Sequence, residues 1–285
     1  MSRTLAAAAM AGTLSIAGVT GGARLSAQGV TYRWSVGDTL RYRNTTKMEG
    51  VVHGAAGDAP FTLSRDAVYA FAFGGGESLT AWYESLAVEA SGALGGDKPN
   101  PQELLHLPYH LHIEPNGRVV TITAPTLPRT ARLIAELSPQ LDDFFPRLPV
   151  SGNVARGATW TDTVTRNEND AEGHHVSIRR ISHYTAGGDS TFEGKPGTVI
   201  TQHTDVRITT SSPMQQQPFV ATLSLTGEED ATALFSVAEG RMLSRERAGE
   251  LRGAVTYKGG DKPWVVNQSY RFHRTDVLED PPPKR

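Results

Sequence analysis

The chain has no cysteine among its 285 residues. That absence excludes a disulfide framework, a thiolate zinc site, a cysteine nucleophile and a lipid-modified cysteine. An excess of one charge is also missing, with 28 Lys and Arg against 30 Asp and Glu, and charged residues make up only 20%. Neither a disordered acidic segment nor an electrostatic nucleic-acid binder has this balance, so no nucleic-acid partner is expected. Long uncharged apolar runs are lacking everywhere except at the start.

That start reads as a secretory signal. Met1-Ser2-Arg3 supplies positive charge, Thr4 to Val19 is an uncharged run rich in alanine, and Leu25-Ser26-Ala27 offers a small-residue cleavage site. The run is shorter than the ~20 residues of a membrane-spanning helix. Cleavage after Ala27 removes Arg3 and Arg24 and no acid, which leaves 26 basic and 30 acidic side chains, a net charge of −4. The expected product is periplasmic or extracellular and not lipidated, with no transmembrane segment after cleavage. It lacks disulfides in a place that permits them, so a large core must supply its stability.

Most of the remaining chain alternates with period two. Leu40, Tyr42 and Met48 oppose Arg41, Arg43 and Lys47. Phe219, Ala221, Leu223 and Leu225 alternate with Val220, Thr222, Ser224 and Thr226. Val266, Tyr270 and Phe272 oppose Arg271 and His273. Such patterns predict antiparallel sheet with one buried and one wet face. Val68–Phe73 and Leu79–Val88 flank Gly74-Gly75-Gly76 and predict an inner hairpin. Pro101–Leu107 predicts one short helical turn.

One long helix is expected across Thr126–Phe145. Leu127, Ala131, Ile134, Leu137, Leu141 and Phe144 recur at three- and four-residue steps, with Arg129, Arg132, Glu136, Asp142 and Asp143 on the wet side. Thr126 caps it, Pro128 suits its first turn and Pro139 kinks it. Glycine turns recur on either side of this helix. Gly37 and Gly117 lie 80 residues apart and Gly157 and Gly240 lie 83 apart, each leading into a strand. The expected fold is mainly β, a curved antiparallel sheet or half-barrel of two similar halves around a central amphipathic helix. Residues 28–150 form the first half with the connecting helix, 151–278 the second half of the same domain, and 279–285 a flexible tail.

The chain resembles a group of uncharacterised secreted bacterial proteins of the domain-of-unknown-function kind. The resemblance rests on the Tyr32–Tyr42 stretch with its Gly-Asp turn, Ile113-Glu114-Pro115-Asn116-Gly117-Arg118, the Phe145–Trp160 segment and Ala238-Glu239-Gly240-Arg241. These are turn signals without chemistry. More remotely, the expected architecture is similar to the lipoprotein carriers of the bacterial envelope, and that likeness implies an apolar interior that holds acyl chains.

Catalytic signals are few. His106, His110 and His112 cluster, and on a strand His110 and His112 point the same way, as metal ligands would need. No His-Glu-x-x-His order accompanies them. His174-His175, His183 and His203 read as solvated strand residues. No serine sits in a Gly-x-Ser-x-Gly elbow. Asp142-Asp143 reads as helix surface, and Glu228-Glu229-Asp230 as part of a turn at Gly227. Gly187-Gly188 reads as a hairpin turn, and Ser211 to Pro218 as a polar loop.

The expected function is that of a non-enzymatic exported envelope protein without a cofactor. Its partner would be a lipid or apolar small molecule, or another envelope protein. Ile134, Leu137, Leu141 and Phe144 are the candidate ligand-binding residues. Two alternatives stay open: a metal-dependent hydrolase using His106, His110 and His112, and a structural or surface-interaction protein without a cavity.

Overall fold

A computed structural model describes residues 29–54, 57–92, 100–126, 141–169, 173, 175–213, 220–259 and 263–279. They form a mainly β protein, built on one open 11-stranded antiparallel sheet. Strands β1 (Thr39–Gly54), β2 (Gly57–Gly75), β3 (Ser78–Gly92), β4 (Tyr109–Ile113) and β5 (Val119–Thr123) make one meander. Strands β6 (Thr159–Asn169), β7 (His175–Phe192), β8 (Lys195–Pro213), β9 (Val220–Ser236), β10 (Arg241–Lys258) and β11 (Trp264–Glu279) make a second. β1 pairs with β11 and joins them, giving the order β5-β4-β3-β2-β1-β11-β10-β9-β8-β7-β6.

The alternation in the sequence becomes two chemically different faces. Along β4, Tyr109, Leu111 and Ile113 are buried while His110 and His112 are exposed. On β1 and β2, paired Tyr42 and Tyr69 point inward, and Arg43 and Lys47 point out. The inner face carries the main core, with Tyr42, Tyr69, Phe71, Leu79, Tyr83, Tyr184 and Phe235 among its members. Glycine lets the strands approach closely on this face. A Cβ on Gly227 of β9 would lie 1.9 Å from the Glu250 carbonyl oxygen, and one on Gly253 of β10 would lie 1.8 Å from that of Ser224. Only glycine fits there.

Two irregular stretches lie across the inner face. In the first, Val30, Tyr32 and Arg33 donate backbone N–H groups to the carbonyls of Gly152, Pro115 and Gly240. The second is the strap from Leu141 to Pro149, every residue of which is buried. The Tyr32 hydroxyl donates to the Pro146 carbonyl at 2.9 Å and ties the two together. Pro101–Leu104 forms a 3-10 turn, capped by Asn100, whose side chain accepts from the Gln102 N–H.

Several sequence expectations change here. No α-helical element is seen among the described residues. Of the expected 126–145 helix, 127–140 lies outside the described residues, and Asp142–Phe145 is turn and bend. Asp142 and Asp143 are buried, each 5% exposed, because the sheet beneath them presents arginines. Glu229 is buried within β9 rather than placed in a turn. Gly187-Gly188 is a register shift inside β7, and the chain reverses at Glu193-Gly194 instead. Of the expected loop, Ser211 to Pro213 belongs to β8, and 214–219 lies outside the described residues. The signal segment 1–27 and the tail 280–285 also lie outside them.

Candidate functional site

The inner face carries a belt of charge between two apolar regions. Arg65, Arg147, Arg180, Arg245, Arg247 and Arg274 are all buried, as are Asp142, Asp143, Glu229 and Asp276. Register places the strand members side by side. Asp276 faces Arg245 and Asn44, Arg274 faces Arg247 and Thr46, and Glu229 faces Thr204.

The strap closes the belt from above. Asp143 lies 3.0 Å from Arg247 and 3.5 Å from Arg245, while Arg245 donates to the Phe144 carbonyl at 2.8 Å and to Gln202 at 2.6 Å. Arg247 also pairs with Glu229. Arg274 forks onto both oxygens of Asp276, at 2.8 and 2.9 Å. Asp142 reaches Arg180 at 3.4 Å, and Arg147 donates to the Asp142 and Gly117 carbonyls. Arg65 donates to Thr46, which donates to Asn44.

The two strap carboxyls have opposite proton affinities. Burial pushes Asp143 up, but Arg245 and Arg247 outweigh it and hold the carboxyl well below the usual range. Burial also raises Asp142, and there the attraction of Arg180 and Arg147 does not offset it. Burial moves the phenols the same way, with Tyr184 pushed up to about 12. A carboxylate gripped by two guanidiniums is a poor proton acceptor, so Asp143 anchors the strap rather than serving as a base.

Beyond the belt the inner face is apolar again. Val206, Leu225 and Leu251 are buried together, with Ile208, Leu223, Tyr270 and Phe272 half-buried against them. Met48 and Leu63, paired on β1 and β2, continue this surface beside Phe272. A hollow of about 440 Å³ lies where β11, β1 and β2 pair, lined by Met48, Leu63 and Phe272 together with their strand neighbours Lys47, Glu49, Thr62, Ser64, Arg271 and His273.

The sequence candidates separate in the structure. Leu141 and Phe144 are fully buried in the main core. Phe144 packs within 5.7 Å of the Tyr42, Tyr69, Phe71 and Phe145 ring centroids. Ile134 and Leu137 lie outside the described residues. His110 and His112 do share the exposed face of β4, where they meet Thr80 at 3.3 Å and Glu77 at 3.0 Å. His106, exposed and at φ 60°, sits on the turn before that strand.

Among the described residues, His203, Asp205 and Glu228 form a group whose ligand atoms all lie within 4.8 Å of one another. All three are exposed on the outer face, and Asp230 holds His203 at 2.8 Å and raises its proton affinity. Sequence reasoning missed this group and the charge belt. Each joins residues from different strands, and the signal was the pairing of His203-x-Asp205 with Glu228-x-Asp230 across β8 and β9.

No family model and no curated protein matches the chain. Among solved structures, one entitled "Lipid-protein interactions in lipovitellin" is similar over 89% of this chain, with a TM-score of 0.49 and 14% identity. The match covers 26% of that chain, so this protein spans about a quarter of its length.

Proposed function

We propose that the protein is an exported, non-enzymatic binding protein that takes a lipid or another apolar small molecule on the inner face of its sheet. The observation that carries this reading is the apolar surface beyond the charge belt. Met48, Leu63, Ile208, Leu223, Tyr270 and Phe272 remain half-buried there, on the face that elsewhere forms the core. Side chains of this kind gain about 25 cal/mol for each Å² that a ligand removes from water. The charge belt serves to anchor the strap, with Asp143 held between Arg245 and Arg247. The N-terminal 27 residues supply the export signal, and the product acts in a periplasm or outside the cell.

Lipid extraction of the purified protein with mass spectrometry, together with titration of a fluorescent fatty-acid analogue, tests this reading. The expected result is saturable probe binding that Phe272→Ala weakens at least about fivefold, the loss of one buried aromatic contact. An extract free of lipid, combined with no saturable probe binding, overturns it.

A further inference from the structure

The sheet is open, and its two ends differ. β5 offers a short edge of five residues, and its pairing with β4 is irregular between His112 and Ile113. β6 offers eleven residues, paired with β7 without a register shift from Thr159↔Thr185 to Asn169↔His175. Alternate N–H and C=O groups along β6 point away from β7, and no described strand receives them. Natural edges of this length are normally blunted by proline, lysine, a bulge or inward-pointing charge. β6 contains no proline, glycine or lysine. It does carry charge at three of the alternate positions 160–168, at Asp162, Arg166 and Glu168, with Trp160 and Val164 at the other two.

We infer that the β6 edge pairs with β6 of a second copy of this chain, antiparallel about a two-fold axis through Val164. Val164 is the midpoint of the strand, so all eleven residues pair, a ladder of about 37 Å. In this register Asp162 of each copy faces Arg166 of the other, which gives two opposite-charge pairs. On the outer row Thr163 faces Thr165 twice, and Thr161 faces Asn167. Opposite charges and Thr–Thr pairs are favourable directly across a sheet, and like charges are not.

Asp162 and Arg166 also reject the alternatives. A parallel in-register pairing sets Asp162 against Asp162 and Arg166 against Arg166. Moving the two-fold axis to Thr163 sets Asp162 against Val164 and Arg166 against Trp160. Charges that would otherwise guard the edge thus select one register. Asp162 touches Arg147 at 3.5 Å and keeps 20% of its side chain exposed, so it is positioned from within its own copy and still open to a second. The axis stands perpendicular to the sheet, so both inner faces lie on one side and run on as a single surface. This assembly goes beyond ligand binding and is independent of it.

The absence of cysteine makes the test clean. Directly opposed residues in an antiparallel pair have Cα atoms about 4.5–5.5 Å apart, within the roughly 4.4–6.8 Å that a disulfide spans. Val164→Cys in the full chain would therefore meet its own copy with no competing thiol. Sedimentation velocity of the unmodified protein is expected to show a mass rising with concentration from that of one chain to twice that. Oxidation should convert Val164→Cys to a covalent dimer and leave Thr121→Cys, on the β5 edge, monomeric. Asp162→Arg should move the association midpoint at least about tenfold higher, and Arg166→Asp added to it should restore it, with circular dichroism checking the fold. A mass of one chain at every concentration, with Val164→Cys remaining monomeric on oxidation, overturns the inference. So does cross-linking through Thr121→Cys instead, or an association that the charge swap fails to restore.

Discussion

Asp143 and Phe144 are neighbours in sequence, yet they reach opposite wings of the sheet by different physics. Phe144 enters a ring of Tyr42, Tyr69 and Phe71 from β1 and β2, with the Arg274 guanidinium 5.4 Å from its ring centroid. Asp143 meets Arg245 and Arg247 of β10. The aromatic contact gains chiefly from buried area and depends little on pH. The ionic contact is directional. It exists only while the carboxyl is charged, and it must recover the cost of taking both charges out of water. One strap is thus fixed to one wing by shape and to the other by charge.

Three substitutions probe this contrast. Phe144→Ala is expected to have the largest effect, about 4 kcal/mol of lost stability, because the ring is fully buried and the site cannot collapse around the gap. Urea unfolding at neutral and acidic pH should give the same loss at both. A loss that changes with pH would show that the aromatic anchor depends on the ionic one.

Asp143→Asn comes next, at about 3 kcal/mol near neutral pH, since it leaves Arg245 and Arg247 short of a buried counter-charge. The folded carboxyl has a depressed proton affinity, so its contribution is full above the unfolded value near 4. It is lost as pH falls below that value toward the folded one. The difference between wild type and variant should therefore shrink on acidification, and a constant difference would remove the ionic half of the comparison.

Asp142→Asn is the smallest, within about 1 kcal/mol at neutral pH. Its folded carboxyl is raised by burial, so charging it disfavours folding as pH rises. The substitution should stabilise the protein slightly at neutral pH relative to its effect in acid, opposite in sign to Asp143→Asn. Matching pH trends for the two would mean that Asp142 and Asp143 act as one unit.

The strands were legible because each residue in them reports its face independently. Leu40 and Tyr42 point in and Arg41 and Arg43 point out whichever strand lies alongside. The belt was not legible, because Arg245, Arg247, Arg274 and Glu229 look like ordinary wet-face residues until register brings them together on the inner row. Alternation by polarity then misleads, since a buried pair is polar on the buried side. Asp142 and Asp143 looked like helix surface for the same reason, because the arginines that bury them are far away in sequence. Of the candidate ligand residues, Leu141 and Phe144 are buried in the main core. What they touch came only from the fold.

The position of Val150 has a consequence for how the fold could be rewired. It is 95% exposed at the end of the strap, in the one connection that links the two meanders. Meanwhile the start of β1 and the end of β11 lie side by side, with Arg41 opposite Glu279. If the chain were opened at Val150 and its present ends joined, the strands would follow one another as β6 through β11 and then β1 through β5. That is their spatial order, each strand hydrogen-bonded to the next. The protein is thus, in topology, a circular permutation of a plain up-and-down meander.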